Sequence, residues 1–121
     1  MDLPVEIKKI MAPKETIELI VDGDFYPEIT IDTMVITHER IIIRRPPSTT
    51  EKTDLIVYRY QDISGVGLEK GFMRSIIRLR VKIVGKSMDT VRLPPKLAEQ
   101  AFSYIKDRVC VQAKPSCTTA P

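Results

Sequence analysis

Arg78, Arg80 and Lys82 are three cations at alternate positions, and their spacing is the first hint of chemistry in this chain. On a strand, steps of two residues put side chains on one face about 7 Å apart. Such a row can hold the phosphates of a lipid headgroup or of nucleic acid. Arg74 continues it in sequence, and Arg44 and Arg45 from an earlier segment would extend it. The plainer alternative is a solvated strand face whose charges pair with carboxylates on a neighbouring strand. A second set is apolar. Phe25 and Tyr26 precede Pro27, and Phe72 and Met73 follow Gly71. Exposed, they would anchor a partner protein; tucked inward, Phe25 and Tyr26 would pack on an N-terminal helix.

Catalytic arrangements are missing from the pattern. The one histidine, His38, lies in a polar stretch, and a metal site needs three or four ligands. Asp32 and Glu39 are near it in sequence but not at ligand spacing. No serine sits in a nucleophile elbow. Gly65, Gly67 and Gly71 miss the dinucleotide spacing and open no helix. The expectation is a protein that is not an enzyme, with no cofactor, no metal and no small-molecule substrate.

The totals narrow the class. A chain of 121 residues makes one domain with a single core. Net charge is 19 − 16 = +3, too mild to point to nucleic acid as the partner. Cys110 and Cys117 are near the C-terminus, where a disulfide would do little for the fold, and they read as thiols in a reducing compartment. Residues 1–11 lack the apolar centre of a signal peptide, and no apolar stretch approaches the ~20 residues of a membrane span. The cytoplasm is the expected location.

The elements that must position these residues follow from periodicity. Leu3, Ile7, Ile10 and Met11 form a short helical stripe ended by Pro13. Alternation predicts strands over residues 16–21, 28–37 with a small break at Asp32-Thr33, 41–43, 55–60, 63–68, 73–84 and 87–93. Thr37 to Arg40 is a tight hairpin between two apolar runs. In the strand over 73–84, Ile77, Leu79, Val81 and Ile83 face one way and the cations the other. Pro95 then opens a helix over 95–109, with Leu97, Ala98, Ala101, Phe102, Ile105 and Val109 on its apolar side. The expected layout is a lead-in packed on the domain over 1–13, the domain over 14–110 and a disordered tail over 111–121.

About seven strands and a closing helix resemble a pleckstrin-homology (PH) domain of the bacterial and archaeal type. The residues that carry the resemblance run from Ile36-Thr37-His38-Glu39-Arg40-Ile41 through Tyr58-Arg59-Tyr60-Gln61-Asp62-Ile63 to Lys70-Gly71 and Arg74-Ser75-Ile76-Ile77. The resemblance implies a mainly β fold, an antiparallel PH-like β-barrel capped by the C-terminal helix and preceded by a short N-terminal one. In eukaryotic relatives that grip inositol phosphates, the loop after the first strand is basic. Here Asp22, Asp24 and Glu28 make that stretch acidic, so no headgroup ligands are carried over. The expected function is recognition of a protein, a second copy of this chain included, through strand edges and loop aromatics. The alternative is a peripheral binder of anionic lipid headgroups or other phosphate-rich surfaces through Arg74, Arg78, Arg80 and Lys82.

Overall fold

The computed structural model describes residues 5–23, 31–45, 55–83 and 85–113. One helical turn, α1 (Val5–Lys8), leads in. A four-stranded antiparallel sheet follows: β1 (Ile17–Val21), β2 (Thr33–Thr37), β3 (Arg40–Arg44) and β4 (Leu55–Arg59), side by side in that order. A 3-10 turn over Tyr60–Asp62 passes the chain to a second sheet of β5 (Ile63–Glu69), β6 (Ser75–Ile83) and β7 (Lys86–Leu93). Helix α2 (Pro95–Ala113) closes the fold against β5 and the 3-10 turn.

The Thr37–Arg40 hairpin forms because a threonine hydroxyl can stand in for a backbone acceptor. Thr37 Oγ1 accepts from the backbone N–H groups of Glu39 at 3.1 Å and Arg40 at 3.0 Å. Ile36 then pairs with Ile41, Val35 with Ile42 and Met34 with Ile43. These apolar runs do not alternate with polar residues because both sheet faces are covered. The inner face, with Val21, Met34, Ile36, Ile41, Ile43 and Tyr58, meets Ile77, Leu79, Val91 and Leu93 of the second sheet. Ala98, Ala101, Ile105 and Val109 of α2 complete that core. On the outer face a cross-strand row runs Ile20, Val35, Ile42, Val57. Ile7 packs onto its middle, with Ile10 and Met11 beside it.

Three expectations change. The N-terminal stripe yields a single turn of helix, and Ile10 and Met11 follow in a turn with backbone bonds to Ile7 and Lys8. Too short to persist alone, the segment is held by docking. Helix α2 continues four residues past Val109 to Ala113, because no proline or glycine interrupts that stretch. Ile83 does not share the buried face of Ile77, Leu79 and Val81. The β6–β7 register slips between Arg80 and Ile83, which swings Ile83 to the surface before Gly85 turns the chain at φ 82°. Among the described residues, no helix is long and apolar enough to cross a membrane.

Candidate interaction surfaces

The basic strip lies on the outer face of the second sheet. Arg78, Arg80 and Lys82 are exposed, and Gly67 and Gly65 sit directly across from Arg78 and Arg80 on β5. A Cβ at Gly67 would meet nothing within 4 Å, whereas one at Gly65 would touch the Arg80 Cβ at 3.8 Å, so open space on this face lies at Gly67. Arg78 is engaged: its Nε donates to Glu69 Oε1 at 3.1 Å and its Nη2 reaches the same oxygen. An exposed pair of this kind contributes under about 1 kcal/mol. Arg80 and Lys82 have no ion-pair partner among the described residues. Arg74 is exposed just ahead of β6, at the foot of the β5–β6 turn. Arg44 and Arg45 do not extend this strip. Arg44 faces Asp22 at 3.8 Å, and Arg45 turns toward Asp32 and Asp89 between the sheets.

The aromatic candidates divide. Phe25 and Tyr26 lie outside the described residues. Phe72 stands at the apex of the β5–β6 turn, 98% exposed, with Met73 beside it at 58%.

Sequence reading did not find the polar cluster that stitches the two sheets together. Asp32 is fully buried and takes the backbone N–H of Arg92 at 2.9 Å, Arg92 Nη2 at 2.8 Å and Arg45 Nη1 at 3.3 Å. Its own backbone N–H donates to the Arg92 carbonyl at 3.0 Å, a main-chain bond between sheets. Beside it, Tyr58 donates to Asp89 Oδ2 at 2.5 Å, Lys86 Nζ donates to the Tyr58 oxygen at 3.1 Å, and Arg45 reaches Asp89 Oδ1. Burial and then the Asp89 carboxylate push the Tyr58 hydroxyl above its usual range. Burial alone would raise Asp89, yet the Tyr58 hydroxyl and the Arg45 charge outweigh it and hold Asp89 below its ordinary value. One signal was present in the alternation: Asp89 shares a strand face with Val91 and Leu93, and a charge on an apolar face must find partners.

A second cluster clamps the lead-in. Glu15 accepts from Arg40 Nε at 2.8 Å, Arg40 Nη2 at 2.9 Å and Thr37 Oγ1 at 2.6 Å, while Arg40 also reaches the Ile10 carbonyl. The bidentate Arg40 fork is the main reason that the Glu15 carboxyl titrates at about 2 instead of near 4.5. A depressed folded-state value means that the ionised form favours the fold. The stabilisation is complete above pH 4.5 and disappears as pH falls toward 2. After allowance for solvent near the guanidinium, the clamp is worth about 2 kcal/mol. Urea midpoints measured across that window should fall for the native chain and stay flatter for Glu15→Gln; parallel slopes would contradict the assignment. His38 stands alongside as a structural acceptor, with Nδ1 taking the Thr16 N–H at 3.0 Å and Nε2 lying 3.2 Å from Glu39. Among the described residues no group of three His, Cys, Asp or Glu side chains gathers as for a metal ion.

Two antiparallel sheets packed face to face and closed by one C-terminal helix define a pleckstrin-homology-like fold. The family model of the bacterial PH domain matches residues 11–107, and the chain belongs to that family. Two solved structures share the fold. One is a DUF1696 family protein with a pleckstrin-homology domain from Shewanella loihica PV-4, 19% identical over 87% of this chain and 91% of that one, with a TM-score of 0.59. The other is a pleckstrin-homology domain from Shewanella amazonensis SB2B, 18% identical over 87% of this chain and 83% of that one, with a TM-score of 0.64. Among curated proteins no significant match is found.

Proposed function

We propose that this bacterial PH domain is a non-catalytic recognition module that contacts protein, its own copies included. The reading rests on one observation. The outer apolar row of the first sheet is covered by the lead-in at Val35 and Ile42, while Leu55 and Val57 on β4 remain more than a third exposed. β4 is an outermost strand of its sheet. An outer strand that presents apolar side chains is suited to pairing with another chain. Light scattering over a concentration series tests the self-association half of the reading. Oligomers that Val57→Lys converts to monomers support it, and a strict monomer at high concentration removes it. A pull-down from native cell extract that loses its partner with Val57→Lys supports recognition of another protein.

A second reading has its own support. Arg80 and Lys82 present two cations to solvent on a strand face that Gly65 and Gly67 of β5 leave without side chains. That arrangement suits an anionic headgroup surface. On this reading sedimentation with anionic vesicles is lost in Arg80→Glu/Lys82→Glu and weakens steeply with salt, and sedimentation retained by that variant removes the reading. Arg78 is left unchanged because reversing it would also break its pair with Glu69.

A further inference from the structure

We propose that the β5–β6 turn is an apolar anchor that inserts Phe72 and Met73 into the interfacial layer of an anionic bilayer. The turn has a definite shape. The Gly71 N–H donates to Ser75 Oγ at 3.3 Å, and Ser75 is buried at the head of β6. A Cβ at Gly71 would collide with the Arg74 carbonyl oxygen, so the chain folds back on itself too closely for any other residue. Phe72 is thereby carried to the apex almost wholly in water, with Met73 more than half exposed beside it. A phenylalanine held almost wholly in water by a constrained turn gains much from an apolar medium.

Charge chooses the occupant. Lys70 and Arg74 flank the apex and are both exposed. Glu69, the nearby carboxylate, faces Arg78 on the adjoining strand. Among the described residues Ile83 and Met88 are also exposed, across from Lys86 and Arg80, and at the β4 edge the exposed Leu55 and Val57 share their strand with the exposed Arg59. Like charges therefore oppose docking of the turn onto a second copy at that edge. The headgroup boundary of an anionic bilayer supplies the opposite sign, accepts an aromatic and a thioether without a shaped socket, and lets the lysine stem extend to the phosphates.

This anchoring does not depend on the basic strand face. Arg78 is four strand residues beyond Arg74, about 13 Å away, which exceeds a Debye length of about 8 Å at physiological salt. With the turn inserted, Arg80 and Lys82 stand clear of the surface. Engagement by one aromatic, one methionine and two cations is weak and reversible, and copies held together would strengthen it through avidity.

The chain contains no tryptophan, so Phe72→Trp places a single reporter at the apex. Its emission should shift to the blue with vesicles of phosphatidylcholine and phosphatidylserine, and brominated acyl chains should quench it. Phosphatidylcholine alone should give a much smaller shift. Phe72→Ala should weaken vesicle binding about tenfold, and Lys70→Glu by fivefold or more. Sedimentation with anionic vesicles while the indole reporter still emits as in water would overturn the anchor and leave the strand-face reading standing. Absence of sedimentation would overturn both. A blue shift that follows protein concentration without lipid would overturn the bilayer and assign the turn to contact between copies.

Discussion

Replacing Asp32 with alanine is expected to remove about 3 kcal/mol of stability, the largest polar effect among the described residues. The carboxylate is fully buried and receives donors from Arg92 and Arg45 on separate elements. Without it, the Arg92 backbone N–H loses its 2.9 Å acceptor, and two guanidinium groups face each other with no carboxylate between them. Breaking a buried ion pair from one side costs about 3–5 kcal/mol. Here Arg45 and Arg92 are each partly exposed and recover some hydration, which places the loss at the lower end. Asp32→Asn keeps one acceptor for the Arg92 N–H and should lose about half as much. The measurement is urea unfolding by circular dichroism, together with a cycle pairing Asp32→Ala with Arg92→Ala. A coupling of about 1–3 kcal/mol is expected for residues in one network. Strict additivity of the two changes would show that the bridge does not join the sheets energetically.

Ile105→Ala should destabilise the domain by a similar amount, about 3 kcal/mol, through a different cause. Ile105 is the bulkiest fully buried side chain that α2 contributes to the core. Its neighbours on that face, Ala98 and Ala101, are small, so the helix packs close and cannot move further in to fill a void. Truncating a buried isoleucine costs about 2–5 kcal/mol, the sum of lost transfer energy and the remaining cavity. Glu99→Ala on the exposed side of the same helix is the control and should stay within about 0.5 kcal/mol. Equal effects from the two variants would mean that α2 does not close the core. Because α2 lies on β5 and the 3-10 turn, such a result would also leave the β5–β6 turn without its rigid support.

The recognition proposals draw on a different part of the molecule. Leu55, Val57, Phe72 and Met73 are all at least a third exposed, and none contributes to the two bridging clusters. Substitutions there should change binding while leaving the unfolding free energy within about 0.5 kcal/mol of native. That separation lets a loss of binding be assigned to the surface instead of to the fold.

Much of the architecture is written locally. The period-two pattern in Ile77, Leu79 and Val81 marks their shared buried face, and Pro95 with the stripe through Ile105 marks the helix. Thr37 predicts its own turn because the hydroxyl accepts from Glu39 and Arg40, two and three residues on. The strip of Arg78, Arg80 and Lys82 is likewise evident, since alternation alone assigns them to one face. The tail from residue 114 and the segment holding Phe25 and Tyr26 lie outside the described residues.

Alternation states which face a residue occupies but not what stands opposite it. Arg44 and Arg45 read in sequence as an extension of the strip, yet they turn to Asp22, Asp32 and Asp89. Asp32 and Arg92 meet across 60 residues of sequence. Their meeting depends on the angle between two sheets, which the summed packing of Tyr58, Leu79, Val91 and the α2 face sets. Hairpins are fixed by forces acting over a few residues, so sequence by itself determined the strands, the turns and the closing helix. Partners between sheets are fixed by many distant contacts acting together, so only the tertiary structure decided which charges are bridged and which remain open to a ligand.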